Sequence, residues 1–286
     1  MTYETFIAKL RLELKDTDKI ARDKWDGDGS TTLFMTNYKP IKDASYTVKI
    51  GGVEKTENTD YTIDKDLGLL TFTSAPASGS DNVEMTYRYQ KLRDADYLEI
   101  INDGIDHFRW KFWKETEDTT TITTTKDQYN YDLSGLTDIL YLIQVWYKTS
   151  SSATYWTAVS GLTNWKYLIR QKKLYVDPPF SSSSLPMKFR YLQSFTKGTT
   201  TSATLDIPDE WLLPYKYYVY ARYYERLIPE KIHETAAITT QPSFAPAQLA
   251  YDISQKYYSL AEIVANKLAP KLPPMPIRQI HEGISL

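Results

Sequence analysis

Histidine is the side chain best suited to proton transfer and metal binding near neutral pH, and this 286-residue chain has three, His107, His233 and His281. They lie too far apart in sequence to show metal-site spacing, and none belongs to an H-E-x-x-H motif. His107 sits between Asp103 and Lys111 on a helical pattern, and His233-Glu234 follows a helix end, so both read as structural or solvated groups. Cysteine is absent, which removes disulfides, thiolate zinc sites and a cysteine nucleophile. No G-x-S-x-G elbow, Walker loop or dinucleotide-binding glycine pattern occurs. Asp26-Gly27-Asp28-Gly29-Ser30, and Asp60 to Gly68 with Asp64 and Asp66, open like calcium loops. An EF-hand needs Glu at its twelfth position and flanking helices. Counting from Asp26 that position is Asn37, with β sequence beyond it, so a plain turn is the better reading. Trp146, Tyr155, Trp156 and Trp165 could form a stacking platform for sugars, although core packing is the more ordinary use of such rings. The expectation is a non-enzyme, with no catalytic, cofactor-binding or metal-binding residues.

Formal net charge is −2, which argues against a grip on nucleic acid driven by phosphate neutralisation. It leaves room for a wall past which DNA slides without sequence-specific binding. No apolar run is long enough to span a bilayer, and residues 1–14 lack the pattern of a signal peptide.

The elements around these residues alternate in period. Residues 2–22 read as a helix with Tyr3, Phe6, Ile7, Leu10 and Leu14 on its apolar stripe and Lys9, Arg11, Glu13 and Lys15 on the wet face. Short β-prone runs separated by Gly, Pro, Asn and Asp fill 24–92. A second helix over 94–114 carries Tyr97, Ile101, Ile105, Phe108 and Phe112, with Gly104 inside it as a point of close approach. Strand chemistry returns over 116–205. Asp206-Ile207-Pro208-Asp209-Glu210 starts further helix, and a last helix over 246–268 shows Leu249, Ile253, Tyr257, Leu260, Val264 and Leu268 in register. Prolines 270, 273, 274 and 276 make the end extended. The expected fold is α+β. A helical bundle core (1–23, 93–115 and 206–269) is interrupted by two β-rich insertions, 24–92 and 116–205, each a small sandwich or barrel-like module, and 270–286 form a Pro-rich tail.

Tyrosine is abundant, 24 residues beside 7 tryptophans. On the helix after Pro214, Tyr215, Tyr217, Tyr218, Tyr220, Tyr223 and Tyr224 interleave with Lys216, Arg222 and Arg226 all round the axis. A single core cannot absorb rings on every face, so a subunit interface is expected there. Candidate interface residues are Tyr217, Tyr220, Tyr223 and Tyr224, joined by Pro273, Pro274, Pro276, Ile277 and Arg278 of the tail.

Three segments carry a family resemblance: the first helix leading into Asp28 to Phe34, Asp60 to Asp64, Gly68 to Phe72 and Tyr87-Arg88-Tyr89; the helix containing Ile100 to Ile105; and Tyr129 to Leu133, Leu174-Tyr175-Val176 and Ile207 to Trp211 before the tyrosine helix. This order resembles the head–tail connector (portal adaptor, or neck) proteins of tailed bacteriophages. The resemblance implies a homo-oligomeric ring, commonly of twelve subunits, assembled in the host cytoplasm and seated in the virion neck. It implies portal protein and a tail or stopper protein as partners, DNA passing through the lumen, no membrane, and a C-terminal tail docked on the portal. Another neck or tail ring protein (stopper, terminator or baseplate) is the alternative, with a carbohydrate-binding β protein behind it.

Overall fold

The computed structural model describes residues 1–119, 121–136, 138–159, 164–168, 171–238, 245–270 and 279–280. The chain forms two compact units, one of residues 1–101, 198–205 and 219–255, the other of 102–197, 206–218 and 256–286.

The first unit begins with α1 (Tyr3–Leu14), where the Thr2 Oγ1 accepts the Thr5 N–H at 3.2 Å as N-cap. The helix does not reach residue 22. Lys15 adopts a left-handed conformation, its N–H closing on the Arg11 and Leu12 carbonyls, and the chain turns into strand at Lys19. Seven strands follow: β1 (Lys19–Gly27), β2 (Leu33–Met35), β3 (Ile41–Ile50), β4 (Val53–Glu54), β5 (Tyr61–Asp64), β6 (Leu69–Phe72) and β7 (Gly79–Tyr89). They make two antiparallel sheets, β1-β7-β3-β4 and β2-β6-β5. Period-two alternation sends Val83, Met85, Tyr87 and Tyr89 of β7 into one cluster with Phe34, Val48, Tyr61, Leu70 and Phe72. Residues 198–205 return to this unit, where Thr2 and Thr204 form a β-bridge and the Gly198 N–H donates to the Tyr3 hydroxyl at 2.8 Å.

In the second unit lie β8 (Lys114–Asp118), β9 (Asn130–Asp132), β10 (Ile139–Tyr147), β11 (Thr157–Ala158), β12 (Asn164–Leu168), β13 (Lys173–Asp177), β14 (Met187–Gln193) and β15 (Gln279–Ile280). The sheets β11-β10-β14-β8 and β15-β12-β13-β9 are antiparallel except for the parallel β12–β15 pair. Leu142, Val145, Met187 and Phe189 from one sheet and Tyr131, Trp165, Tyr167, Leu174 and Val176 from the other share a core. Among the described residues three more α-helices follow: α2 (Asp94–Phe108), α3 (Leu212–Ile238) and α4 (Ala245–Leu268). Pro214 lies in the first turn of α3, where its missing N–H costs nothing, so the helix runs through it.

The expected helical bundle core is therefore overturned. Two pairs of sheets each close on their own apolar cluster, and a smaller cluster joins Trp113 to Leu140 and Leu192. A sheet pair that buries its two inner faces against each other needs no helix to complete it, so the β regions are the body of the fold.

Candidate functional site

The tyrosine helix is the surface that the sequence singles out. Pro214 lies in the first turn of α3 and the rings distribute themselves round the helix beyond it. Tyr215, Tyr218, Tyr220 and Tyr223 are buried, while Tyr217 and Tyr224 are half-buried. In the second unit Tyr215 meets Phe108 and Phe112 with ring centroids 5.2 and 5.9 Å apart, and Tyr218 packs on Phe108, His107 and Tyr258. Gly104 permits this. A Cβ there would stand 3.3 Å from both the Tyr215 and Tyr218 rings, which bears out the close approach expected at that glycine. Tyr217 stacks on Tyr257 at 6.0 Å. In the first unit Tyr223 stacks on Tyr97 at 6.5 Å and meets Tyr224 edge-on, and the Tyr220 hydroxyl donates to Glu13. One chain thus takes up the aromatic excess that motivated an interface here. Of the four named tyrosines, Tyr217 and Tyr224 keep surface to offer, and Tyr220 and Tyr223 are interior groups.

The tail candidates Pro273, Pro274, Pro276, Ile277 and Arg278 lie outside the described residues. Beyond them, the backbone of Gln279 and Ile280 pairs with Tyr167 and Leu168 of β12.

The most concentrated polar site is one that sequence reasoning missed. Arg11 is buried beside the apolar stripe of α1, contrary to its expected place on the wet face. Its guanidinium donates to Asp16 at 3.0 Å, to Asp94 at 2.7 Å and to the Leu92 carbonyl at 2.7 Å. Asp16, also buried, accepts the Lys91 and Leu92 N–H groups and the Tyr97 hydroxyl. Burial pushes the Asp16 carboxyl above its usual range against these donors, and burial beside Asp16 pushes the Tyr97 phenol up as well. With donors and acceptors matched within the chain, this cluster holds α1 to the start of α2. A period-3.6 pattern with Arg at a stripe position was the available signal.

Other titratable groups are similarly engaged. The His107 Nε2 lies 2.7 Å from Glu262 Oε1, and Lys111 pairs with the second oxygen. Burial would raise the Glu262 carboxyl, but the Lys111 and His107 hydrogen bonds hold it below the ordinary range. Asp206 is likewise held down by Lys114 and the Thr196 N–H against the effect of burial. Asp28 spends its oxygens on Ser30 N, Thr31 N and Thr31 Oγ1, and Asp64 accepts from Asp66 N and Leu67 N, which makes both loops side-chain-capped turns. Among the described residues no cluster of three or more His, Cys, Asp or Glu could hold a metal. His281 and the side chain of His233 lie outside the described residues. The four-ring sugar platform is not assembled, since Trp165 is core. Lys188 covers Trp146 at 4.8 Å, Lys148 covers Trp156 at 5.4 Å, and Tyr155 stands 84% exposed. Among the described residues no helix is long and apolar enough to cross a membrane.

Residues 77–241, more than half of the chain, match a sequence model of phage adaptor type. The chain belongs to the SU10 adaptor protein family, and is by that membership a virion-associated structural protein. The match begins near β7 and runs through α2, the second β region and the tyrosine helix. No curated protein matches the chain.

Proposed function

We propose that this adaptor works without catalysis as a head–tail connector, forming a homo-oligomeric ring under the portal of a tailed phage. The ring extends the DNA channel and offers the tail, or a stopper protein, its attachment site. The family match over residues 77–241 carries this reading. Two further features support it. The most concentrated charged group, Arg11–Asp16–Asp94, is engaged in holding the chain together, and the formal charge of −2 suits a lumen that DNA passes without adhering. A closed ring needs two different faces on each subunit, and Tyr217 and Tyr224 are candidate members of one of them.

In this reading residues 270–286 dock on the portal, which adds a partner contact to the pairing of Gln279 and Ile280 with β12. The decisive experiment mixes purified portal with the full chain and with a chain ending at residue 269, followed by pull-down and electron microscopy. The full chain should form a ring on the portal and the shortened one should not bind. A full chain that binds no portal, yet forms rings on isolated tails, would transfer the assignment to a terminator or baseplate role.

A further inference from the structure

Helix α4 faces its own chain with a side set off from the one its sequence advertises. Its buried positions are Ala247, Ala250, Ser254, Ala261 and Ala265. The bulky stripe Leu249, Ile253, Tyr257, Leu260, Val264 and Leu268 lies about a quarter turn away. Leu249 is 59% and Leu268 38% exposed, and the four residues between them are half-buried. Ile263, 50% exposed, borders the same strip. The helix is seated by its smallest side chains while its largest aliphatic groups remain partly in water, where covering them would be favourable.

Spacing and charge together point to what covers it. The stripe steps by 4, 4, 3, 4 and 4 residues, an order that is the same read from either end. It repeats after eleven residues, close to the natural pitch, so the strip runs nearly straight along the helix. Laid antiparallel on a second copy about a two-fold axis, Leu249 opposes Leu268, Ile253 opposes Val264 and Tyr257 opposes Leu260. On the outer border of the strip, Asp252 of each copy then comes beside Lys267 of the other, and both residues are exposed. The Gln248 Nε2 steadies Asp252 with a hydrogen bond of 2.8 Å. In a parallel pair the outer borders of the two copies fall on opposite sides of the seam, and Asp252 of one copy does not come beside Lys267 of the other.

We propose that this strip of α4 is a self-association surface, occupied by α4 of a second copy running antiparallel. Such a two-fold contact is complete with two chains and cannot propagate into a ring. Pairing through α4 is therefore a property of the free subunit, distinct from any contact within a neck ring.

The chain has no cysteine, so engineered thiols report without background. Light scattering of the free chain should give the mass of a dimer. Oxidising a mixture of the single variants Ile253→Cys and Val264→Cys should yield the mixed disulfide, with neither variant coupling to itself. Asp252→Lys should raise the dimer dissociation constant about tenfold, and adding Lys267→Asp should restore it. Both charge sites are exposed, and circular dichroism verifies that the variants fold. A monomer at tens of micromolar, Ile253–Ile253 coupling, or indifference to the charge reversal would overturn the proposal. Because no portal is present, each of these outcomes leaves the connector reading to its own pull-down.

Discussion

Arg11 shows how much one buried charge can organise. Its three nitrogens satisfy two carboxylates and the backbone carbonyls of Asp16 and Leu92, so its removal would strand Asp16 in a site with little access to water. Arg11→Ala should cost about 3–5 kcal/mol, the usual penalty for breaking a buried pair on one side. Amide exchange at Lys91 and Leu92, whose N–H groups donate to Asp16, should accelerate in parallel. Unchanged exchange at those two amides would remove Arg11 from its organising role. The sequence held a trace of this site, a basic residue next to Leu10 on a stripe otherwise apolar. Hydrophobic periodicity assigns such a residue to water because it counts side-chain type and cannot see a partner 83 positions away. The tyrosines illustrate the converse limit. Their number was legible, but their destinations depended on which helices and strands would come to face α3, and that is a tertiary matter.

At the scale of elements, helical period located α2 and its buried residues Tyr97, Ile101, Ile105 and Phe108, but carried the helix to 114, whereas it ends at Phe108 and Phe112 lies beyond it. The same reasoning found α4 and put six bulky residues in register, but those residues are half-buried or exposed and the buried positions are alanines and Ser254 beside them. A periodic stripe says that one side of a helix is apolar, whereas the seat is decided by how closely a neighbour can approach, and alanine allows the closer approach. Gly104 in α2 makes the same point on a single residue. Gly104→Val should destabilise the protein by roughly 1–3 kcal/mol, because its side chain would enter the space of the Tyr215 and Tyr218 rings. A calorimetric transition as stable as the parent's would mean those rings yield freely. Within the second unit, Glu262 joins α4 to His107 and Lys111. Its folded-state carboxyl titrates below the ordinary range, so the stabilisation is present above the pH at which an unfolded glutamate ionises. It is lost as pH falls through the lower, folded value. Glu262→Gln should therefore flatten that part of the acid limb in a melting-temperature series, and an unaltered limb would show that the pair contributes nothing there.

For the whole molecule, alternating strand patterns over 24–92 and 116–205 were readable, and both regions are built of strands. What could not be read was their weight. Each pairs two sheets around an aromatic-rich interior, and sequence period alone does not say whether a β region is an ornament or the body of a fold. The family match spans the second of these regions entirely and stops short of the first six strands. The prediction at this scale is that exchanging residues 28–75 for a short linker, if the remainder folds, spares portal binding. Loss of binding by a folded remainder would give the first β region a part in the joint.

The pairing of Gln279 and Ile280 with β12 bears on how any shortened version of this adaptor behaves. A product that stops before them leaves the flank of β12 with amide and carbonyl groups seeking company, the kind of border through which β proteins clump. Chains clipped by proteases near the carboxyl end should therefore precipitate sooner on storage than intact ones. Failure of a clipped chain to join the portal is informative only for material that sediments as a single species.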